Sequence, residues 1–235
     1  MVGMNATLRR EKTMDETLPR RSLAEHIDGT LRARPTSLRW LVALIIIFSM
    51  TYGLVMGSFS VDGHIRIRQM MYSSLKMPLL LLVTFAISLP SFFVLNTIMG
   101  MRDDFLIALR SVAATQAALT IVLASLAPIT AVWYASSASY ERAVMFNAAM
   151  FAMASIAAQW MLRRLYRPLI ARDPRHRLLL RSWLLIYAFV GIQMGWLLRP
   201  FIGSPGVVTE FFRTASWGNA YVHVWDLLTT SIKGH

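Results

Sequence analysis

Two histidine and carboxylate pairs are the residues to which a chemistry can be assigned most directly. His64 lies two positions after Asp62, and His223 lies three positions before Asp226. Imidazole and carboxylate groups together can bind a metal ion or transfer a proton. These two pairs form one group only if distant segments meet, and scattered pairs of this kind are usually polar surface residues. We therefore predict no metal site, no cofactor and no catalytic residue.

The local patterns of common enzymatic chemistry are also missing. The chain has no cysteine, which excludes disulfides, thiolate metal sites and cysteine nucleophiles. The motifs HExxH, GxxxxGK[ST], GxGxxG and GxSxG are absent, and with them the signatures of zinc proteolysis, nucleotide hydrolysis, dinucleotide binding and the serine-elbow hydrolases. We expect a protein that is not an enzyme.

Composition indicates a membrane protein. Hydrophobic residues occupy 56% of the 235 positions and charged residues only 15%, whereas soluble domains carry about 25% charged residues. The net charge of +12 would suit nucleic acid if the basic residues lay on a soluble, aromatic-rich surface. They flank apolar runs instead, so we expect no nucleic acid partner and contact with anionic lipid headgroups.

Five apolar runs are long enough to cross a membrane as helices. They are residues 40–60, 77–99, 105–134, 143–162 and 182–198. These runs contain no acidic residue, lysine or histidine, which argues against a proton relay or a membrane-embedded haem. The predicted fold class is an all-α polytopic bundle over residues 39–198, and the short fifth run leaves a re-entrant helix open as an alternative.

The distribution of basic residues predicts the orientation. With the N-terminus inside, 17 of the 24 lysines and arginines lie on the cytoplasmic side. Seven of them lie in a predicted loop at 163–181. That loop is either a topology signal on anionic lipid or a docking surface for a partner, and its first contacts would be made by Arg163, Arg164 and Arg167.

A short interfacial helix is expected at each end of the chain. In the cytoplasmic tail, residues 1–38, Ser22 and Glu25 have the spacing of a capping box, which predicts an amphipathic helix near 23–33. We expect it on the inner membrane surface or against the loop at 163–181. In the outer-face segment, residues 199–235, aromatic and aliphatic residues recur at helical spacing from Trp217 to Ile232.

Small residues in two spans predict close helix packing. Gly53 and Gly57 lie four residues apart in the first span, as do Gly191 and Gly195 in the fifth. This spacing puts both glycines of a pair on one helix face, where another helix can approach closely. The neighbour is a helix of the same chain or of another subunit.

Four intramembrane amides are candidates for a polar path. They are Asn96, Gln116, Asn147 and Gln193. Side chains of this kind usually form hydrogen bonds between helices, and a path for a solute is the alternative.

The segment after the fifth span combines an arginine with restricted backbone. Arg199 is followed by Pro200, and Trp196 and Phe201 supply aromatic faces on either side. We expect Arg199 either to organise a fixed cap that contacts a partner or to extend to lipid headgroups at the interface.

Residues 191–205 resemble a stretch shared by a family of uncharacterised bacterial multi-span membrane proteins, and the segments 75–78 and 90–96 are similar to it as well. The resemblance covers about residues 40–225. More distantly, the five-span layout with the N-terminus inside resembles the Yip1 superfamily in hydropathy. Both resemblances imply a multi-pass membrane protein, the first a bacterial one, and neither implies a catalytic residue or a substrate.

These observations favour an accessory, scaffold or assembly subunit of a larger membrane complex, in the inner membrane, with the C-terminus outside. It would contact protein partners or further copies of itself. The main alternative is a small channel or facilitator for an uncharged or anionic solute, and a membrane enzyme ranks third.

Overall fold

The computed structural model describes residues 22–31, 37–60, 66–137, 139–203 and 210–212. These residues form helices joined by short links, without a β-strand in the ranges just given. A single 3₁₀ turn, Arg102–Asp104, precedes the fourth helix. The helices are α1 (Leu23–Leu31), α2 (Leu38–Gly57), α3 (Ile67–Ile98), α4 (Phe105–Ser136), α5 (Tyr140–Arg172) and α6 (His176–Leu198).

Helices α2 to α6 are each long and apolar enough to cross a membrane. The all-α, five-span fold class is therefore confirmed. The three middle helices have 32, 32 and 33 residues, or about 48 Å each at the α-helical rise. That length exceeds the roughly 30 Å of a hydrocarbon core, so these helices tilt or extend beyond it.

Two helix boundaries differ from the predicted spans by as many as ten residues. Helix α3 begins ten residues before the predicted start at 77, and α5 continues ten residues past the predicted end at 162. The predicted arginine-rich loop at 163–181 is therefore mostly helical, and only Asp173–Arg175 link α5 to α6. Hydropathy marks the part of a helix that meets lipid, while arginine and leucine are strong helix formers that extend the helix beyond it.

Helix α2 lies at the centre of the bundle, with α3 on one side and α4 on the other. Helix α5 packs on α4, and α6 packs on α3. The two outermost helices, α5 and α6, therefore contact each other only sparsely. We call the end formed by Ser58, Arg66, Ser137 and Arg199–Gly203 the cap end, and the end formed by Ser37, Gly100–Asp104 and Asp173–Arg175 the basic end.

Helix α1 begins with the capping box that the sequence predicted. The Ser22 backbone N–H donates to Glu25 Oε2 at 3.0 Å, and the Glu25 N–H donates to Ser22 Oγ at 3.3 Å. The helix packs mainly against α4 and α2, where Ile27 joins a cluster around Leu41 and Leu44. It is therefore part of the bundle, rather than a helix placed on the arginine-rich segment.

Candidate functional site

The segment after α6 folds back over the start of α3 and is held there by three side chains. We call Arg199–Gly203 the cap, and Gln69, Ser73 and Lys76 the clamp. Gln69 Nε2 donates to the Phe201 carbonyl at 3.1 Å, and Ser73 Oγ donates to the same oxygen. Lys76 Nζ donates to the Pro200 carbonyl at 3.0 Å. The cap backbone is thus fixed by α3.

The three clamp residues share one face of α3. Their spacing of four and then three residues aligns them along the helix, and all three are buried. The Lys76 ammonium also lies 5.2 Å from the centre of the Phe211 ring. A buried ammonium group needs such partners, because its desolvation is otherwise strongly unfavourable.

Sequence reasoning missed the clamp. Because the sequence predicts a second span that begins at residue 77, Lys76 falls just outside that span. The polar pattern 69, 73, 76 is the signal that identifies a polar helix face. It becomes visible only once α3 is extended to Ile67.

The small residues of the first span bring α2 against the clamp. A Cβ added at Gly57 would lie 2.7 Å from Met70 Cα and 2.8 Å from the Gln69 carbonyl oxygen. A Cβ added at Gly53 would lie 2.5 Å from the Ser73 carbonyl oxygen. All three distances to backbone atoms are shorter than real Cβ contacts, so these glycines allow α2 and α3 to touch through their backbones.

The second glycine pair behaves differently. A Cβ added at Gly191 would meet Thr84 Cγ2 at 3.6 Å, which is an ordinary contact. A Cβ added at Gly195 would have no described atom within 4 Å. Within the part of the chain that the structure describes, close helix packing is therefore made by the first pair and not by the second.

Arg199 lies at the edge of a cavity between the cap and α5. Its guanidinium carbon lies 3.4 Å from the centre of the Trp196 ring, a cation–π contact that fixes its position. The cavity, about 400 Å³, is lined by Arg199 and Phe201 and by one face of α5 that includes Tyr140 and Asn147. We call it the cap cavity. The predicted Arg199, Trp196 and Phe201 group is therefore close together in space.

Asn147 connects three helices at the wall of the cap cavity. Its Oδ1 accepts a hydrogen bond from the Tyr52 hydroxyl at 3.0 Å. Its Nδ2 donates to the Ala143 carbonyl at 2.7 Å and to the Tyr134 hydroxyl. Such a fully bonded amide fixes the positions of α2, α4 and α5.

The four predicted path residues do not line one cavity. Asn96 is buried and donates to the Phe92 carbonyl at 2.8 Å. Gln116 lines a second cavity of about 380 Å³ between α4, α5 and α6, which we call the side cavity. Gln193 is partly buried on α6 and lines neither of these cavities. Asn147 and Gln116 are thus separated, in different cavities.

The predicted contact arginines lie together on α5 near the basic end. Arg163, Arg164 and Arg167 are exposed and surround a shallow cavity of about 370 Å³ with Trp160, which is 72% exposed. Spacings of three, four and seven residues from the tryptophan place these four side chains on one helix face, which we call the basic face. A tryptophan above arginines is typical of a membrane interface.

One carboxylate joins the helices at the basic end. Asp104 Oδ2 lies 3.1 Å from Nε2 of the buried His176, and its Oδ1 lies 3.4 Å from Arg172 Nη1. These contacts connect the start of α4 to the end of α5 and the start of α6. They hold the short link between α5 and α6 in place.

Several predicted features lie outside the described residues. They are the pairs of His64 with Asp62 and His223 with Asp226, and the interfacial helix from Trp217 to Ile232. Among the residues that the structure does describe, no three histidine or carboxylate side chains come together in a group that could hold a metal ion.

Comparisons with known proteins add no relative. No protein-family model matches the chain, and neither a curated protein nor a solved structure shows significant similarity to it.

Proposed function

We propose that the protein is a non-catalytic accessory, scaffold or assembly subunit of a larger membrane complex, and that it docks its partner through the cap. The observation that supports this proposal is the clamp, which fixes a short loop from below with three buried polar side chains. Burying the Lys76 ammonium group has a large cost in desolvation free energy. A segment that served only as a connection would not require such a contact.

A fixed cap is suited to docking. A surface that is ordered before binding loses less conformational entropy when a partner arrives. The cap presents Arg199 stacked on Trp196, and arginine and tryptophan are enriched among the residues that dominate interface energies. Arg199 also lines the cap cavity, so it lies at the surface that a partner would contact.

We further propose that the protein is located in a bacterial inner membrane with the N-terminus in the cytoplasm. The arginines of the basic face and of the start of α6 are concentrated at one end of the bundle, which is the end where α2 begins. Basic residues are retained on the cytoplasmic side during insertion. In this orientation the cap faces the outside, and its partner is a periplasmic segment or another membrane protein.

Copurification tests the docking proposal. The tagged full chain is isolated from its native host in a mild detergent, and the masses of the bound proteins are measured. We expect a stoichiometric partner that Arg199→Lys weakens, because lysine retains the charge but lacks the planar donor fork. Lys76→Met should weaken it as well, because it releases the Pro200 carbonyl.

Arg142→Lys is the matched control, since Arg142 is an exposed arginine at the same end of the bundle. It should retain the partner at the level of the parent. A parent chain that purifies only as a homo-oligomer would refute the docking proposal, and so would Arg199→Lys and Arg142→Lys chains with equal partner yields.

A facilitator for an uncharged or anionic solute is the second candidate. One observation favours it: the cap cavity and the side cavity lie along the same face of α5. Tyr140 and Asn147 line the cap cavity, and Ser155 and Gln159 line the side cavity. Flux of glycerol and of chloride into proteoliposomes tests it. We expect no flux above empty liposomes, and flux that Asn147→Leu abolishes would favour the facilitator.

A further inference from the structure

The side cavity contains a glutamine whose polar atoms are left without partners. Gln116 is 6% exposed and lines the cavity. Neither its Nε2 nor its Oε1 has a hydrogen-bond partner at normal distance and angle within the described part of the chain. The Tyr187 hydroxyl lies within interaction range and can satisfy part of the amide, so the amide still has capacity for a further partner.

The position of Gln116 makes this state unfavourable. Eleven residues separate it from the start of α4, or about 16 Å along the helix axis. For a helix of this length centred on a hydrocarbon core of about 30 Å, this depth lies inside the core, where water does not compensate an unpaired amide. Thr115, which lines the same cavity, is already satisfied because its hydroxyl donates to the Ser111 carbonyl at 2.9 Å. Ser155 and Gln159 also line the cavity but are only partly buried, so Gln116 is the buried group that a ligand would satisfy.

The cavity itself selects an uncharged and mainly apolar molecule. No charged side chain is among its lining residues, and Leu119, Trp183 and Leu184 form much of the wall. Its volume of about 380 Å³ is within the range of small-molecule sites. Helices α5 and α6 contact each other only sparsely, so a molecule dissolved in the membrane can reach the side cavity between them.

We propose that the side cavity binds an uncharged lipid-phase molecule with a hydroxyl or an equivalent donor and acceptor group at one end. A hydroxyl oxygen accepts from Gln116 Nε2 while its hydrogen is donated to Oε1, so one small group satisfies both atoms of the amide. The chain of the ligand then lies against the apolar wall. A hydrocarbon of the same shape packs against the apolar wall but forms no hydrogen bond with the Gln116 amide.

Competition binding tests this proposal on the full chain. Purified protein in detergent is bound to tritiated farnesol, which is displaced by unlabelled farnesol or by farnesene, its counterpart without oxygen. We expect farnesol to compete about tenfold better than farnesene, the factor that corresponds to about 1.4 kcal/mol of hydrogen bonding. Gln116→Leu should reduce this preference to near equality and leave the binding of farnesene unchanged.

Two further variants make the result decisive. Gln193→Leu is the matched control, because it makes the same change on α6 outside the side cavity, and it should retain the preference for farnesol. Ala188→Phe fills the cavity from the exposed edge of α6 and should abolish the binding of both probes, which supplies a test if Gln116→Leu fails to fold.

Equal competition by the two probes in the parent would overturn the proposal, as would a preference that persists in Gln116→Leu or binding that survives Ala188→Phe. The result is independent of docking at the cap. Gln116→Leu should retain the protein partner, and Arg199→Lys should retain farnesol, so the failure of either proposal is distinguishable from the failure of the other.

Discussion

The contact between α2 and α3 offers the sharpest test of how this bundle positions its cap. Gly57 faces two residues of the clamp, since an added Cβ would lie 2.8 Å from the Gln69 carbonyl oxygen and 2.9 Å from Ser73 Cβ. In Gly57→Ala the new methyl group meets backbone atoms, which do not rotate away. The two helices must therefore separate, and the clamp must move with α3.

The magnitude follows from the distances. The shortest contact, 2.7 Å to Met70 Cα, must lengthen by about 0.7 Å to become an ordinary contact. Overpacking of this kind costs about 1 to 3 kcal/mol of unfolding free energy. Alanine recovers up to about 1 kcal/mol through its higher helix propensity. For a chain of this size each kcal/mol corresponds to about 2 to 4 °C in Tm.

Gly195→Ala is the control that isolates the contact, because its Cβ meets no described atom within 4 Å. Thermal unfolding of the two purified variants in one detergent gives the comparison. We expect Gly57→Ala to unfold at a lower temperature than Gly195→Ala, and limited proteolysis to cut faster within the cap. A Gly57→Ala chain as stable as the Gly195→Ala chain, with an unchanged cap, would refute the backbone contact as the feature that positions the clamp.

Four further outcomes are expected. A reporter that is active only outside the membrane should be active after Ser137 and silent after Arg172, and the reverse pattern would remove the proposed orientation. Replacing the three arginines of the basic face by glutamine should reduce the anionic lipid that copurifies, by about 1 kcal/mol of binding per arginine, and unchanged lipid analysis would contradict it. Asp104→Asn should lower the unfolding free energy by about 1 kcal/mol, measured by thermal unfolding, because it removes a charge that bonds to both α5 and α6. Ser22→Ala should speed hydrogen exchange in α1, since losing an N-cap costs about 1 kcal/mol; unchanged exchange would mean that packing alone holds the helix.

Features that depend on neighbouring positions in the sequence were predictable. The five spans follow from run length and hydropathy, and the structure confirms a bundle of five such helices. The capping box at Ser22 and Glu25 involves residues three positions apart, and its two hydrogen bonds are present. The contact glycines of α2 were also recognisable, because four-residue spacing defines a helix face without reference to any other segment.

The extents of the helices were less predictable. Hydropathy falls where the arginines begin, yet α5 continues through them and through Pro168 to Arg172. Hydropathy reports which residues meet lipid and does not report where the backbone stops being helical. At the other end of the bundle, hydropathy likewise placed the start of α3 ten residues too late. The three clamp residues therefore fell outside the predicted helix.

The sequence by itself determined the membrane class, the five long apolar helices of the described residues and the small residues on which two helices meet, since each depends on composition or on spacing within one helix. Only the tertiary structure decided which amides share a cavity, which glycine pair is in close contact, and that Lys76 bonds to the Pro200 carbonyl 124 positions away. These pairings depend on how different helices are placed side by side, α2 against α3 for the glycines and α3 against the end of α6 for Lys76. That placement results from the packing of the whole bundle, which no local pattern of residues specifies.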